Sequence, residues 1–453
     1  MMYRRIAAVS AAFLFFVSLA FAQQIAPQTT PAATVSEKQD IAVFALGYYG
    51  YNIPLETLAT VDAQIQGVFV NLGRFNVFGA TERFAAKDVQ TFIDTLKKMK
   101  ETNTPLPEEL KFGDVQMTSE LYNKLFGAFV VVIPTVTDFN SQYNKAKNQF
   151  ETTLKTSVAF INVANGSTFG FANINTSGTS KETQYKSIKL AMDGLAPQLT
   201  FEIRKISAFT LNTKVLQVKG GEVKMQLGRD MGVQVGDEYA VIEKTQIAGL
   251  SDDREDGLIL IKNVGAQIST GTVLYSGSTL GEGAQLREIP RLGFDLMPYL
   301  RYMSYFQPVN GSNGALLIGA KAVASRFFYN IRPFAGIQAS FDSKLFFPIA
   351  AYAGVEYDII LGRLTLNASG AIGGASNVLI KVLESNLDTQ TDDAFFSHYG
   401  AIVNVGASFL ITRDLKLFAE VGAEYWIGIL NSLGGPWSSY GGPGVSVGAA
   451  IKF

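Results

Sequence analysis

The C-terminal third of the chain alternates apolar residues with small or polar ones. In the final segment the apolar positions are Val445, Val447, Ala449, Ile451 and Phe453. Because successive side chains of a β-strand point to opposite faces, this period of two predicts a strand with one apolar face. The opposite face carries small or polar residues and ends in Lys452.

Segments of this kind recur along the C-terminal region and are separated by turn-rich sequence. Repeated alternation over about ten residues is typical of transmembrane β-barrels, in which eight is the smallest common strand number. We predict an antiparallel eight-stranded transmembrane barrel over residues 291–453. Its strands are expected near 292–305, 315–326, 331–341, 347–359, 364–373, 399–409, 415–426 and 445–453.

Charged residues in these strands fall on the face opposite the apolar one. The interior of an eight-stranded barrel is filled by side chains, so we predict a buried ion-pair network and not a conduction path. The ten predicted members are Asp295, Arg301, Lys321, Arg332, Glu356, Asp358, Lys416, Glu420, Glu424 and Lys452.

A soluble antiparallel sandwich would also alternate. Aromatic residues at the outward ends of the strands favour the membrane alternative, because such residues concentrate at membrane–water interfaces. These residues are Tyr302, Phe341, Phe347, Tyr357 and Tyr425.

Composition excludes several classes of partner and site. With 38 Lys+Arg against 39 Asp+Glu, the formal net charge is −1, so no basic excess indicates a nucleic-acid partner. There is no cysteine and a single histidine, His398, which excludes disulfides, thiol nucleophiles, zinc–thiolate sites and multi-histidine metal sites. We expect no catalytic, cofactor-binding or metal-binding residues.

The N-terminus has the pattern of an export signal. Arg4 and Arg5 precede an apolar run over 6–19 and an Ala-x-Ala site at 20–22. We interpret residues 1–22 as a cleaved signal peptide; the alternative, an uncleaved membrane helix, would need a longer apolar run. Residues 23–40 are rich in Pro, Thr and Ala and are predicted to be a flexible linker.

Residues 41–210 alternate predicted strands and helices, which indicates an α/β domain with a partly parallel sheet. Asn165-Gly166 predicts a hairpin turn. Strands are predicted at 41–46, 75–78, 128–134, 149–163 and 168–175, and helices from Pro54 to about 72, over 84–99, over 118–126 and over 181–195.

Residues 211–290 have the pattern of a separate small β domain. Glycines at Gly228, Gly232 and Gly236 are spaced by three residues, and Asp237 follows the last of them. Such glycines are expected at turns between short strands.

The segment Val445–Phe453 resembles the last strand of bacterial outer-membrane proteins, which commonly ends in Phe. The resemblance implies an outer-membrane location, contact with outer-membrane lipid, and recognition of Phe453 by the barrel-assembly machinery during biogenesis. It implies little about function, since small barrels include anchors, adhesins and a few enzymes.

The α/β region resembles, in element order, the α/β domain of the curli-secretion pore lipoproteins and related periplasmic assembly factors, including the N-terminal domain of the Tol-system propeller protein. The Gly-x3-Gly-x3-Gly-Asp segment resembles the C-terminal β domain of a flagellar assembly protein. These resemblances imply that residues 23–290 lie in the periplasm and interact with envelope proteins. The curli-pore family is anchored through a lipidated Cys, which this chain lacks.

Three other patterns suggest possible sites. The acids between Ser251 and Gly257 depart from the EF-hand template, so we predict a solvated turn there. Asp388, Asp392, Asp393 and His398 are interpreted as a polar external loop and not a protease site. Trp437 and Tyr440 are a candidate adhesive tip.

The sequence thus predicts a non-enzymatic outer-membrane protein whose barrel anchors a periplasmic interaction or assembly module. The alternatives are a subunit of an outer-membrane pore or transport assembly and a surface adhesin that acts through its external loops. The oligomeric state stays open.

Overall fold

The computed structural model describes residues 35–48, 52–78, 94, 98, 110–112, 115–117, 130–247, 250–309, 312–326, 330–341, 348–377, 396–428 and 439–453. The predicted signal peptide and the predicted helix over 118–126 lie outside this part of the chain. So does the helix predicted over 84–99, apart from Asp94 and Lys98.

The N-terminal half forms an α/β domain with a mixed sheet. Its strands are β1 Gln39–Val43, β2 Gly47–Tyr48, β3 Phe75–Phe78, β4 Leu110–Phe112, β5 Val115–Met117, β6 Val130–Asn144, β7 Gln149–Asn162 and β8 Ser167–Ser180. Its helices are α1 Leu55–Asn71, α2 Gln184–Asp193 and α3 Leu195–Lys205. The main sheet has the order β3-β1-β6-β7-β8; β1 is parallel to both neighbours, and β6, β7 and β8 are antiparallel.

The helices cover one face of this sheet. In α1 the buried side chains Val61, Ile65 and Phe69 recur every four residues, which places them on one face of the helix. The helix predicted over 181–195 is present as α2, which ends at Asp193, but sequence reading missed the second helix, α3, which follows from Leu195 to Lys205. In α3 the buried residues Leu195, Leu199 and Ile203 recur every four residues, and Pro197 lies in the first turn, where proline is tolerated.

Residues at the end of the predicted linker are ordered. The amide of Ser36 donates to the carbonyl oxygen of Asn212 at 2.8 Å, and Val35 packs against a hydrophobic core. The first strand begins at Gln39, so the chain becomes ordered several residues before the predicted end of the linker.

The next region is a closed six-stranded barrel, here called the small barrel. Its strands are β9 Asn212–Lys219, β10 Glu222–Met225, β11 Glu238–Ile247, β12 Leu250–Val264, β13 Ser269–Ser276 and β14 Gln285–Ile289, closed in the order β10-β13-β12-β11-β14-β9. The turn predicted between Ser251 and Gly257 is wrong. These residues lie in β12 and pair with β11, and residues 252–255 are exposed, so the acidic side chains are solvated on a strand and not in a turn.

The C-terminal region is a closed antiparallel barrel of eight strands, here called the large barrel. The predicted strand number is confirmed, and most strands are a few residues longer than predicted. The strands are β15 Phe294–Val309, β16 Ser312–Ala324, β17 Ile331–Phe341, β18 Pro348–Leu361, β19 Leu364–Asn377, β20 His398–Thr412, β21 Leu415–Gly428 and β22 Tyr440–Lys452. Pairing of β22 with β15 closes the barrel.

The outer surface of the large barrel is apolar. Ile372, for example, is 75% exposed, and Val403 and Val445 also point outward. All charged residues of the eight strands instead point inward, as a lipid-facing charge would cost ~2–4 kcal/mol near the middle of a bilayer. This is the architecture of a transmembrane β-barrel. No α-helix among the described residues is both long and apolar enough to cross a membrane.

Candidate functional site

The centre of the large barrel contains a lysine between two carboxylates. Lys321 Nζ lies 3.0 Å from Glu356 Oε2 and 2.6 Å from Glu420 Oε1. The side-chain amide of Asn367 donates to both of these oxygens. Buried charges are tolerated only when they are paired and hydrogen-bonded, and this arrangement meets both conditions.

Two further groups extend this network along the lumen. Arg332 donates to Asp295 at 2.7 Å and to Asp358 at 2.9 Å. Towards the other end, Arg301 Nε lies 3.4 Å from Glu424 Oε2.

The remaining predicted members lie near one end of the lumen. Lys416 Nζ is 3.4 Å from Asp295, and Lys452 pairs with Glu238 of the small barrel. The structure therefore brings all ten predicted charges into the barrel interior. Between Tyr299, Arg301 and Lys321 the lumen keeps a cavity of only about 20 Å³, room for about one water molecule.

The end of the large barrel that carries the turns 362–363 and 413–414 is here called the proximal end. Phe453 lies there: its ring stacks on Phe294 with centroids 5.4 Å apart, and its amide donates to the carbonyl of Phe294. The small barrel packs against this end.

A buried ionic cluster joins the α/β domain to the small barrel. Glu288 in β14 accepts from Arg74 Nη1 at 2.8 Å and Nη2 at 3.0 Å, and from Arg204 Nε at 2.6 Å. The amide of Leu211 adds a further donor at 3.0 Å. Burial would raise the pKa of Glu288, but the charges of Arg74 and Arg204 outweigh burial and lower this pKa to about 2.

The same cluster continues into the large barrel through Asp237. Asp237 Oδ1 accepts from Arg204 of α3 at 2.9 Å and from Arg326, in the turn after β16, at 2.8 Å. Burial lowers the pKa of Arg326, and the Asp237 charge only partly opposes this. One carboxylate thus connects three domains, and this set of residues (Arg74, Arg204, Asp237, Glu288 and Arg326) is called the joint.

The glycine motif of the sequence lies at the joint. Gly232 has a φ of 76°, and a β-carbon there would lie 1.8 Å from the carbonyl oxygen of Leu72 in the α/β domain. Gly236 has a φ of 88°, and its β-carbon would lie 2.4 Å from the carbonyl oxygen of Ser325 in the large barrel. The motif therefore allows the backbones of three domains to approach closely.

Further contacts hold the small barrel on the proximal end. Arg291 lies 3.0 Å from Glu238 and 2.7 Å from Asp414, and it donates to the carbonyl oxygen of Lys452. Burial would raise the pKa of Asp414, but the hydrogen bond from Arg291 and the charge of Arg291 outweigh burial and lower this pKa. At the surface, Arg413 Nη1 donates to Glu255 at 2.7 Å.

Sequence reading identified Asp237 as part of a motif but missed Arg74, Arg204, Glu288 and Arg326. Nothing in their local sequence separates them from solvated charges; only their long-range pairing does. The structure also corrects the adhesive tip, because the Tyr440 ring is buried in the large barrel, where it stacks on Trp426.

The described residues contain no group of three or more acidic or histidine side chains arranged to hold a metal ion. His398 begins β20 and is buried, with its Nδ1 2.8 Å from the Ser397 hydroxyl. Asp388, Asp392 and Asp393 lie outside the described residues, as do Phe347 and Trp437.

No protein-family model matches this chain, and no curated protein does either. Among solved structures, it is similar to Neisserial surface protein A, with 19% identity and a TM-score of 0.26 over 36% of this chain and 97% of that protein. It is also similar to a chain from the de novo design of transmembrane β-barrels, with 15% identity and a TM-score of 0.21 over 35% and 95%. A third similar structure is the hypothetical protein CT253 from Chlamydia trachomatis, with 13% identity and a TM-score of 0.24 over 38% and 94%. Similarities of this size do not assign a function.

Proposed function

We propose that this chain is a non-enzymatic outer-membrane protein whose large barrel anchors the α/β domain and the small barrel in the periplasm, where they bind envelope proteins. The observation that carries the proposal is the joint. A buried pair that loses one partner leaves an uncompensated charge at a cost of ~3–5 kcal/mol, so pairs of this kind hold the domains in one arrangement.

The filled lumen argues against the rival role as a pore subunit. The ion pairs of Lys321, Arg332 and Arg301 cross the interior, and the small barrel covers the proximal end. An anchor needs no conduction path. Holding a binding module beside the membrane raises its effective concentration for partners there, without any chemistry.

The edge strand β8 is the surface that we assign to periplasmic protein partners. It spans 14 residues, from Ser167 to Ser180, and it contains neither a charged residue nor a proline. Within the described residues, no strand pairs with its outer edge. Natural edge strands are usually protected by charges, prolines or bulges, and an unprotected one accepts an added strand from another protein.

The topology is tested with protease added to intact cells and to cells with a permeabilised outer membrane. We expect residues 35–290 to be cleaved only after permeabilisation, while the large barrel survives as a protected fragment. A single cysteine at exposed Lys189 of α2, probed with a membrane-impermeant maleimide, supplies an independent readout.

Labelling of this cysteine in intact cells would place the module at the cell surface and refute the anchoring proposal. Recovery of the whole chain in the soluble fraction would refute the membrane assignment itself.

A further inference from the structure

A cavity of about 340 Å³ lies between the small barrel and the proximal end of the large barrel. Its volume is in the range of pockets that bind small molecules. Apolar side chains supply part of its wall, including Leu260 and Leu274 of the small barrel and Ile360 and Leu410 of the large barrel.

The remaining wall is strongly cationic. Six cationic and three carboxylate side chains line the cavity, an excess of three positive charges. The cations are Lys262, Arg291, Arg332, Arg363, Lys416 and Lys452, and the carboxylates are Glu238, Asp295 and Asp358.

Two of the cations have no carboxylate partner among the described residues. Arg363 donates instead to the carbonyl oxygens of Leu410 and Ile411, at 3.0 and 3.2 Å, and its guanidinium lies 3.8 Å from the centre of the Tyr275 ring. Lys262 makes no ion pair within the described part of the chain. The cavity wall therefore offers two positive charges to an anion.

A second observation concerns Asp358, which also lines the cavity. Its Oδ2 accepts from Arg332 at 2.9 Å, whereas its buried Oδ1 has no hydrogen-bond partner among the described residues. A buried acceptor without a partner destabilises the protein, because it has lost its hydrogen bonds to water. A ligand that carries a hydrogen-bond donor beside its anionic group would satisfy this atom.

The position of the cavity indicates the source of such a ligand. Tyr357 and Phe453 also line it, and they are 49% and 38% exposed on the outside of the large barrel, near the end of its apolar surface. Exposed aromatic residues mark the membrane–water interface. The cavity thus lies at the level of lipid phosphates.

We propose that this cavity binds the head group of a glycerophospholipid from the inner leaflet of the outer membrane. The phosphate lies against Arg363 and Lys262, and an amine or hydroxyl of the head group donates to Asp358 Oδ1. The inference rests on the proposed function, because only a barrel inserted in the membrane presents the cavity to lipid.

The test is native mass spectrometry of the full chain in detergent, titrated with phosphatidylethanolamine. We expect one lipid to bind saturably and the double substitution Arg363→Gln and Lys262→Gln to weaken binding at least about tenfold, as charged hydrogen bonds contribute strongly. Ile360→Trp, which fills the apolar wall, should also weaken it. Lys189→Gln, an exposed cation on α2, is the matched control.

Unchanged lipid affinity in both the double variant and Ile360→Trp would overturn the proposal. Equal affinity for glycerophosphoethanolamine, which lacks acyl chains, would overturn the lipid source and assign a soluble phosphate ester. Heat-dependent gel mobility verifies that each variant keeps a folded barrel. If maleimide labelling in intact cells places the module at the cell surface while the purified protein still binds the lipid, the anchoring proposal and the inner-leaflet source fail, but the cavity remains a lipid head-group site.

Discussion

Replacing Glu288 with Gln should loosen the joint. The substitution keeps the size of the side chain but removes the negative charge that faces Arg74 and Arg204. Both arginines stay buried, so each loses its strongest compensating charge. We expect the α/β domain and the small barrel to lose stability while the large barrel stays folded.

The size of the effect follows from the pKa. The pKa of Glu288 is lowered from its ordinary value of 4.5 to about 2, and each tenfold change in proton affinity is worth ~1.4 kcal/mol. The charged joint therefore stabilises the folded state by about 3 kcal/mol, in line with the ~3–5 kcal/mol for breaking a buried pair. Since the folded pKa is depressed, this stability is complete above pH 4.5 and is lost as the pH falls towards 2.

Pulse proteolysis in urea measures the free energy of unfolding of the α/β domain and the small barrel, because the large barrel remains as a resistant fragment. Glu255→Gln is the matched control: Glu255 pairs with Arg413 at the surface, where its side chain is 35% exposed, and its loss should cost ~1 kcal/mol or less. Equal stability of the two variants at pH 7 would refute the reasoning. The reasoning would also be refuted if Glu288→Gln lost as much stability as the parent protein between pH 4.5 and 2, since glutamine does not titrate.

Three other predictions concern the motif, the edge strand and the lumen. Gly232→Ala should destabilise docking of the small barrel by ~1–3 kcal/mol, because the added carbon meets the Leu72 carbonyl and the φ is positive; hydrogen exchange at residues 228–237 measures it, and parental exchange would contradict it. The double substitution Asn173→Lys and Asn175→Lys in β8 should abolish cross-linking to envelope proteins in cells, whereas Thr153→Lys on the interior strand β7 should not. Equal loss of cross-linking in both variants would reject the edge as the binding surface. Purified protein in planar bilayers should show no steady conductance, and stable ion currents would contradict the filled lumen.

Much of the large barrel could be predicted from sequence because its pattern is local. Alternation with a period of two decides which side chains face lipid, so the inward position of Glu356 and Lys321 follows from counting along a strand. Helix α3 was missed although Leu195, Leu199 and Ile203 recur every four residues, because Pro197 reads as the end of one helix when it lies in the first turn of the next. The strand predicted over 128–134 is also too short: β6 continues to Asn144, and its second half is polar, so no apolar run marks it in the sequence.

Three features can be read from the amino-acid sequence alone: the alternation typical of a membrane barrel, the lack of cysteine, and a glycine motif before Asp237. What these features do together depends on contacts between residues far apart in the chain. Arg74 and Glu288 are 214 residues apart, and no local pattern distinguishes a solvated arginine from one that closes a buried joint. The pairing arises because the α/β domain packs on the small barrel and brings Arg74, just before β3, to Glu288 in β14, where burial makes each charge depend on its partner.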